Sequence, residues 1–270
     1  RARRQRPATV LAEGGPECLD HRLGVRLISW NLAKAPGTRR ELEHHVQSAD
    51  LVCLQEAMPS LLPDVPGSVH FAESFRRLRP NAEFHGVATL ARAQARHGDH
   101  ATIASRWREG WIVTPKMALA TEYELGDELL LVVNVHAMNF QPVFKYMLRD
   151  QFERIAQRIA AHAGPAIVCG DFNTWRADRL RLIENLLHGF EPVVFGESEH
   201  RKRGHWVSSL AFGNRELPLD HVYVRGLDWR EAQVLPSEHS DHGALAVHLF
   251  PKRGQEGSQG THASGPHPML

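Results

Sequence analysis

Four short apolar segments of this 270-residue chain each run into a polar side chain. The segments are residues 25–30, 51–55, 131–135 and 167–170, and the polar residues that follow them are Asn31, Glu56, His136 and Asp171. Short continuous apolar runs bounded by polar residues are typical of buried strands. Because open α/β sheets collect ligand groups at the carboxyl ends of their strands, we expect these four side chains to share one edge.

Further elements follow from the same periodicities. Strands are predicted at residues 86–90, 219–224 and 244–250, and helices at residues 40–47, 148–159 and 180–187. Strands alternating with helices predict an α/β domain over residues 23–250. The segment of residues 1–22 is predicted to be a flexible tail, and residues 251–270 a disordered one, because neither shows an apolar period.

The composition excludes several classes of protein. With 42% hydrophobic and 23% charged residues, the chain is neither disordered nor collagen-like, and its three cysteines are too few and too widely spaced for a disulfide scaffold. The 32 basic and 31 acidic residues give a net charge of +1, so any polyanion has to be met by a local patch.

The same features predict where the protein resides. The longest apolar run, residues 129–133, is too short to span a bilayer, so no stable membrane insertion is expected. Cys53 and Cys169 lie in apolar runs, where buried and reduced thiols are typical, so we expect a cytoplasmic protein. A monomer is the default expectation for its oligomeric state. The chain begins with Arg1, which leaves open a targeting segment before it.

Six short motifs occur in a fixed order along the chain. They are Ser29-Trp30-Asn31, Leu54-Gln55-Glu56, Asn134-Val135-His136, Gly170-Asp171-Phe172-Asn173, Leu219-Asp220-His221-Val222 and Ser240-Asp241-His242. The set resembles the endonuclease/exonuclease/phosphatase superfamily, and residues 133–140 and 218–227 are most similar to its poorly characterised bacterial YafD-like branch. This resemblance implies the DNase I-like fold, a four-layer sandwich of two packed mixed β-sheets flanked by helices.

Hydrolysis of a phosphodiester needs a cation to neutralise the phosphoryl oxygens and a base to activate water. The Glu56 carboxylate suits Mg²⁺ or Mn²⁺, which need few protein ligands. Asn31 would complete the metal shell or hold the phosphate. Asp241 would serve the metal or its waters.

The remaining motif residues are candidates for the catalytic steps. His242 is the candidate general base, and Asp220 is the carboxylate that would orient its imidazole. Asp171 and Asn173 are two residues apart, so on an extended segment they would face the same side. The resemblance implies that Asp171 orients or deprotonates water, that Asn173 donates to the phosphate, and that His136 binds phosphate or protonates the leaving group.

The substrate is less constrained than the chemistry. The basic and aromatic residues of one loop offer phosphate contacts beside a stacking surface, although a solvated loop has the same composition: Arg201, Lys202, Arg203 and Trp206. This loop favours nucleic acid, and hence an endonuclease or exonuclease. A phosphodiesterase or phosphatase acting on a small molecule or lipid, and an inactive polyanion-binding protein, are the alternatives.

Overall fold

The computed structural model describes residues 8–11, 18–76, 83–96, 101–108, 115–139, 146–197 and 217–252. This part of the chain contains thirteen strands and three α-helices. The strands are β1 (Ala8–Leu11), β2 (Val25–Asn31), β3 (Leu51–Ala57), β4 (Ser68–Arg76), β5 (Phe84–Ala91), β6 (Ala101–Arg108), β7 (Pro115–Leu125), β8 (Glu128–His136), β9 (Ala166–Asp171), β10 (Glu191–Pro192), β11 (Asp220–Arg225), β12 (Leu227–Leu235) and β13 (Ala244–Pro251). The helices are α1 (Arg39–Ser48), α2 (Tyr146–Ala160) and α3 (Ala177–Leu186).

The strands form two mixed sheets. The seven-stranded sheet has the order β1-β4-β5-β3-β2-β13-β12, and the six-stranded sheet has the order β10-β11-β9-β8-β7-β6. Each sheet contains one parallel pair, β2 with β3 in the first and β8 with β9 in the second, while the other described pairs are antiparallel. The two parallel pairs lie near the centre of their sheets and carry four of the predicted site residues at their carboxyl ends.

Side chains alternate between the two faces of each strand, and three apolar layers result. On β2, Leu27 packs between the sheets, whereas Ile28 packs on the outer face beneath α1. On β8, Val132 faces the sheet interface and Val133 faces α2 and α3. The predicted four-layer sandwich, helix on sheet on sheet on helix, is therefore confirmed.

Helix α2 shows why the predicted helices form. Its buried residues Leu148, Phe152, Ile155 and Ile159 recur every three or four positions, so they line one face. Phe152 meets the edge of Phe172, which directly follows β9, at a ring distance of 5.3 Å. The helix is thus anchored beside the end of the strand that carries Asp171. In the described residues, none of the helices has the length and apolar content needed to cross a bilayer.

The amino-terminal segment differs from the expectation of a flexible tail over residues 1–22. Strand β1 pairs antiparallel with β4, from Ala8 opposite Phe71 to Leu11 opposite Ser68. Leu19 is 5% exposed and packs between the sheets, and its N–H donates to the carbonyl of Glu124. Backbone pairing at a sheet edge needs no apolar period, which is why the sequence pattern did not indicate it. At the other end, residues 253–270 lie outside the described part of the chain.

Candidate active site

The strand ends named in the sequence meet at one end of the sandwich. In the six-stranded sheet, His136 is the register partner of Asp171, and Asp171 is the partner of Asp220. In the seven-stranded sheet, Asn31 lies opposite Gln55, next to Glu56. The two sheets are linked at this end, because the Asn31 Nδ2 donates to Asp171 Oδ2 at 2.9 Å. The predicted shared edge is therefore present, and it is built by both sheets.

His242 and Asp220 form a buried pair. His242 Nδ1 lies 2.8 Å from Asp220 Oδ2. The loop that carries His242 is fastened to the end of β2, since Ser240 Oγ donates to the Asn31 carbonyl at 2.7 Å and the Trp30 indole N–H donates to the His242 carbonyl at 2.8 Å. These bonds hold the imidazole in place on a segment without regular structure.

Burial and the charge of Asp220 shift the pKa of His242 in opposite directions. Burial alone would lower the pKa of His242, but the charge and hydrogen bond of Asp220, helped by Asp171, raise it to about 9. Burial, together with the Asp220 carboxylate, raises the pKa of Asp171 to about 6. The His242 imidazole therefore has a high affinity for a proton, and Asp171 ionises near neutral pH.

His136 lies in a different electrostatic setting. Its Nε2 is 2.7 Å from the ammonium of Lys116, 3.7 Å from Glu56 Oε1 and 3.8 Å from Asp171 Oδ2. Burial first, and then the positive charges of Lys116 and Lys34, lower its pKa well below the usual value. The ring is therefore neutral, with Nε2 accepting a hydrogen bond from Lys116 and the proton carried on Nδ1.

Glu56 lies at a bulge of β3. The pairing of β3 with β5 is interrupted between Leu54 and Ala57, and Glu56 has a φ of 51°. A bulge re-aims a side chain that regular pleating would direct elsewhere. The Glu56 Oε2 accepts a hydrogen bond from the ammonium of Lys34 at 2.5 Å, so this carboxylate already holds a positive charge at the strand end.

The oxygen donors present fit a hard divalent cation. Glu56 supplies a carboxylate with a cation at contact distance, and Asn31 supplies an amide oxygen that accepts a hydrogen bond from the N–H of Ala33. The described residues contain no cluster of three or more His, Cys, Asp or Glu side chains arranged to hold a metal. Mg²⁺ keeps several waters and uses one or two protein carboxylates, so Glu56 and Asn31 are residues that could hold it.

Asn173 reaches the site by a turn and not by strand alternation. Its N–H donates to Asp171 Oδ1 at 3.0 Å, and its φ of 51° takes the chain out of the extended form that we expected. The side-chain amide of Asn173 donates to the carbonyl of Ala137 at 3.0 Å, and the buried Arg179 Nε donates to the Asn173 carbonyl at 2.8 Å. The loops after β8 and β9 are thereby tied together.

Left-handed backbone is concentrated at this end of the molecule. Five non-glycine residues of the described chain have a positive φ, and four of them lie at or beside the site. The four are Ala33, Lys34, Glu56 and Asn173, and the fifth is Glu231 in β12. Such conformations are costly for residues with a Cβ and cluster where function constrains the backbone.

The remaining predicted residues are placed as follows. Asp241 lies at the rim with a largely exposed carboxylate, and its Oδ1 is 3.7 Å from His242 Nε2. Arg201, Lys202, Arg203 and Trp206 lie outside the described residues, so their role stays a prediction.

Two lysines of the site were missed by the sequence analysis. Lys34 follows Asn31 by three residues, and this closeness to a motif is a signal that could have identified it. Lys116 lies at the start of β7 and reaches His136 only through the antiparallel pairing of β7 with β8. No local pattern reveals such a long-range contact.

Comparison with known proteins agrees with this fold. The chain is 33% identical over 249 residues to a UPF0294 protein of Klebsiella pneumoniae (strain 342), covering 90% of this chain and 87% of the relative, which confirms the YafD-like branch. D. rerio TDP2 complexed with a single-strand DNA product superposes with a TM-score of 0.60 at 16% identity, covering 83% of this chain and 98% of that one. The catalytic domain of human Nocturnin with bound sulfate superposes with a TM-score of 0.58 at 19% identity, covering 91% and 97%. The model of the Endonuclease/Exonuclease/phosphatase family matches residues 28–242, and together with the shared fold and the UPF0294 relative this shows that the chain belongs to that family.

Proposed function

We propose that this protein is a divalent-metal-dependent phosphoester hydrolase, and that it acts as a phosphodiesterase on nucleic acid. The observation that carries the proposal is the meeting of the His242–Asp220 pair with Asp171, Asn31 and Glu56 at the junction of the two sheets. A buried imidazole with a carboxylate partner, beside a second carboxylate and a cation-holding carboxylate, provides both proton transfer and charge neutralisation.

The protein's own groups would divide the work as follows. The neutral form of His242, which a pKa of about 9 makes the minor form at neutral pH, takes a proton from the attacking water, and Asp220 stabilises the imidazolium that forms. Asp171, fixed by Asn31 and by the backbone N–H of Asn173, orients that water. A Mg²⁺ or Mn²⁺ held by Glu56 and Asn31, with Asp241 serving its waters, would neutralise charge on the phosphoryl oxygens.

His136 suits phosphate binding better than proton donation. Its neutral ring carries the proton on Nδ1 and accepts from Lys116 at Nε2. An imidazole with a lowered pKa holds no extra proton to give to a leaving group at neutral pH. We therefore assign to His136 and Lys116 together the binding of a phosphoryl oxygen.

The choice of nucleic acid rests on two observations. The segment of residues 200–206 combines arginine, lysine and tryptophan, the residue types that single-strand binding surfaces use. The D. rerio TDP2 that shares this fold was solved with a single-strand DNA product.

Hydrolysis assays test the proposal directly. Bis-p-nitrophenyl phosphate, p-nitrophenyl phosphate, and single-stranded, double-stranded and abasic DNA would each be incubated with Mg²⁺, Mn²⁺ or EDTA. We expect DNA cleavage that requires the metal and falls with salt, and that drops by about 10³-fold in His242→Ala and in Asp171→Ala. The matched control is His248→Ala, since this β13 histidine donates to the Leu23 carbonyl at 2.7 Å at the far end of the strand.

Each result has a definite meaning. Near wild-type rates for both site variants would refute the assignment. Activity on the small esters alone would exclude nucleic acid and favour a metabolite or lipid substrate. No hydrolysis with any metal would leave the fold as a binding protein.

A further inference from the structure

Lys34 is placed by a strained turn directly after β2. The N–H of Ala35 donates to the Leu32 carbonyl at 2.9 Å, and the two residues between them, Ala33 and Lys34, have φ values of 50° and 59°. The Asn31 amide oxygen accepts from the Ala33 N–H and fixes the start of this turn. Two consecutive left-handed residues with side chains persist only where the surroundings over-determine them. The turn therefore gives the Lys34 side chain a defined origin beside the site.

The ammonium of Lys34 binds the carboxylate that best suits a divalent cation. Lys34 Nζ lies 2.5 Å from Glu56 Oε2, and the two side chains are 30% and 17% exposed. The other oxygen, Oε1, faces His136 Nε2 at 3.7 Å. A carboxylate oxygen that accepts an ammonium at contact distance has less negative charge to offer a second cation, and a divalent ion on the same group would repel the ammonium.

We propose that Lys34 competes with the divalent cation for Glu56, and that cation binding releases its ammonium to the phosphoryl group of the substrate. This inference rests on the proposed function and deepens it. Lys34 thereby weakens metal binding while no substrate is present, and adds a positive charge to the site once a phosphate is bound beside the metal. Lys34 is thus a binding residue for the phosphoryl group and a determinant of metal affinity.

The chain provides a matched control for this ion pair. Lys252 Nζ binds Glu191 Oε1, also at 2.5 Å, and the pair lies where β13 ends and β10 begins. That position is at the opposite end of β11 from Asp220, because Glu191 pairs with Val224. Lys252→Met removes the same net charge as Lys34→Met without touching the site.

Mn²⁺ titration followed by electron paramagnetic resonance measures the competition without any turnover. We expect Lys34→Met to raise the affinity for Mn²⁺ by at least about fivefold, because a partly buried positive charge at contact distance is removed. Lys34→Arg keeps the charge and is expected to stay within about twofold of the wild type, as is Lys252→Met. Glu56→Gln is expected to weaken Mn²⁺ binding. An affinity in Lys34→Met that is equal to or lower than that of the wild type would overturn the inference.

Calorimetric titration of inorganic phosphate into the Mn²⁺-saturated protein tests the second half of the proposal. We expect Lys34→Met to bind phosphate at least about tenfold more weakly than Lys252→Met does, because a charge-assisted contact is lost. Equal phosphate affinities would refute the released-ammonium role. Failure of the wild type itself to bind Mn²⁺ would instead contradict the metal dependence in the proposed function, so the two failures are distinguishable.

Discussion

Asn134 is the residue whose replacement tests the junction of the two sheets. Its side-chain amide lies fully buried on β8 and makes three hydrogen bonds across the sandwich. Nδ2 donates to the carbonyls of Leu54 at 3.1 Å and Ala88 at 2.8 Å, and Oδ1 accepts from Gln55 Nε2 at 2.8 Å. One side chain of the six-stranded sheet thus holds β3 and β5 of the other sheet. It lies two residues before His136, and its partner Gln55 is the residue before Glu56.

Asn134→Ala should destabilise the protein by about 3 kcal/mol, since each of the three buried hydrogen bonds contributes about 1 kcal/mol net. With a urea m value of about 3 kcal/mol per molar, the unfolding midpoint should fall by about 1 M. Ser29→Ala is the control, because the Ser29 hydroxyl is also buried, on β2, but has no hydrogen-bond partner among the described residues. Its loss should cost less than about 1 kcal/mol. Equal midpoint shifts for the two variants would refute the role of Asn134 as a bridge between the sheets.

Two further predictions concern single buried positions. Burial lowers the pKa of His45, whose ring meets the edge of Trp30, so the folded protein binds fewer protons than the unfolded chain and loses stability as the pH falls below the unfolded value of 6.5. His45→Phe should therefore gain stability relative to the wild type as urea titrations move from about pH 8 to about pH 5, and a pH-independent difference would contradict this. Gly170→Ala should lower the melting temperature by more than about 8 °C, because Gly170 has a φ of 135° and an added Cβ would lie 2.0 Å from the Val135 carbonyl oxygen. A melting temperature within about 2 °C of the wild type would show that β9 can shift away from β8.

The sequence predicted the central strands because their residues are buried on both faces. Strands β2, β3, β8 and β9 read as continuous apolar runs, and each is found within three residues of its predicted bounds. Strand β7 was missed since it contains Glu122 and Glu124. Glu122 is accommodated by the Arg158 guanidinium at 2.7 Å, on a helix distant in sequence. A charged residue stabilised by such a distant partner gives no local signal of a strand.

The residues of the site also divide into those with a local sequence signal and those that depend on distant contacts. Asn31, Glu56, His136 and Asp171 could be predicted because each ends an apolar run, and motif order indicated Asp220 and His242. The positions of Lys34 and Lys116 could not be predicted, because one depends on a strained turn and the other on the pairing of β7 with β8. Local sequence specifies which strand end bears a group, whereas long-range pairing decides which groups meet.

The His242–Asp220 pair has one member on each sheet. His242 precedes β13 of the seven-stranded sheet, and Asp220 begins β11 of the six-stranded sheet. A slip of one sheet past the other by one residue would move these atoms by about 3.3 Å, more than the 2.8 Å that separates them. The His242–Asp220 contact therefore exists only in molecules whose two sheets are docked in register, so in the proposed mechanism the native packing of the two sheets is itself a condition for proton transfer.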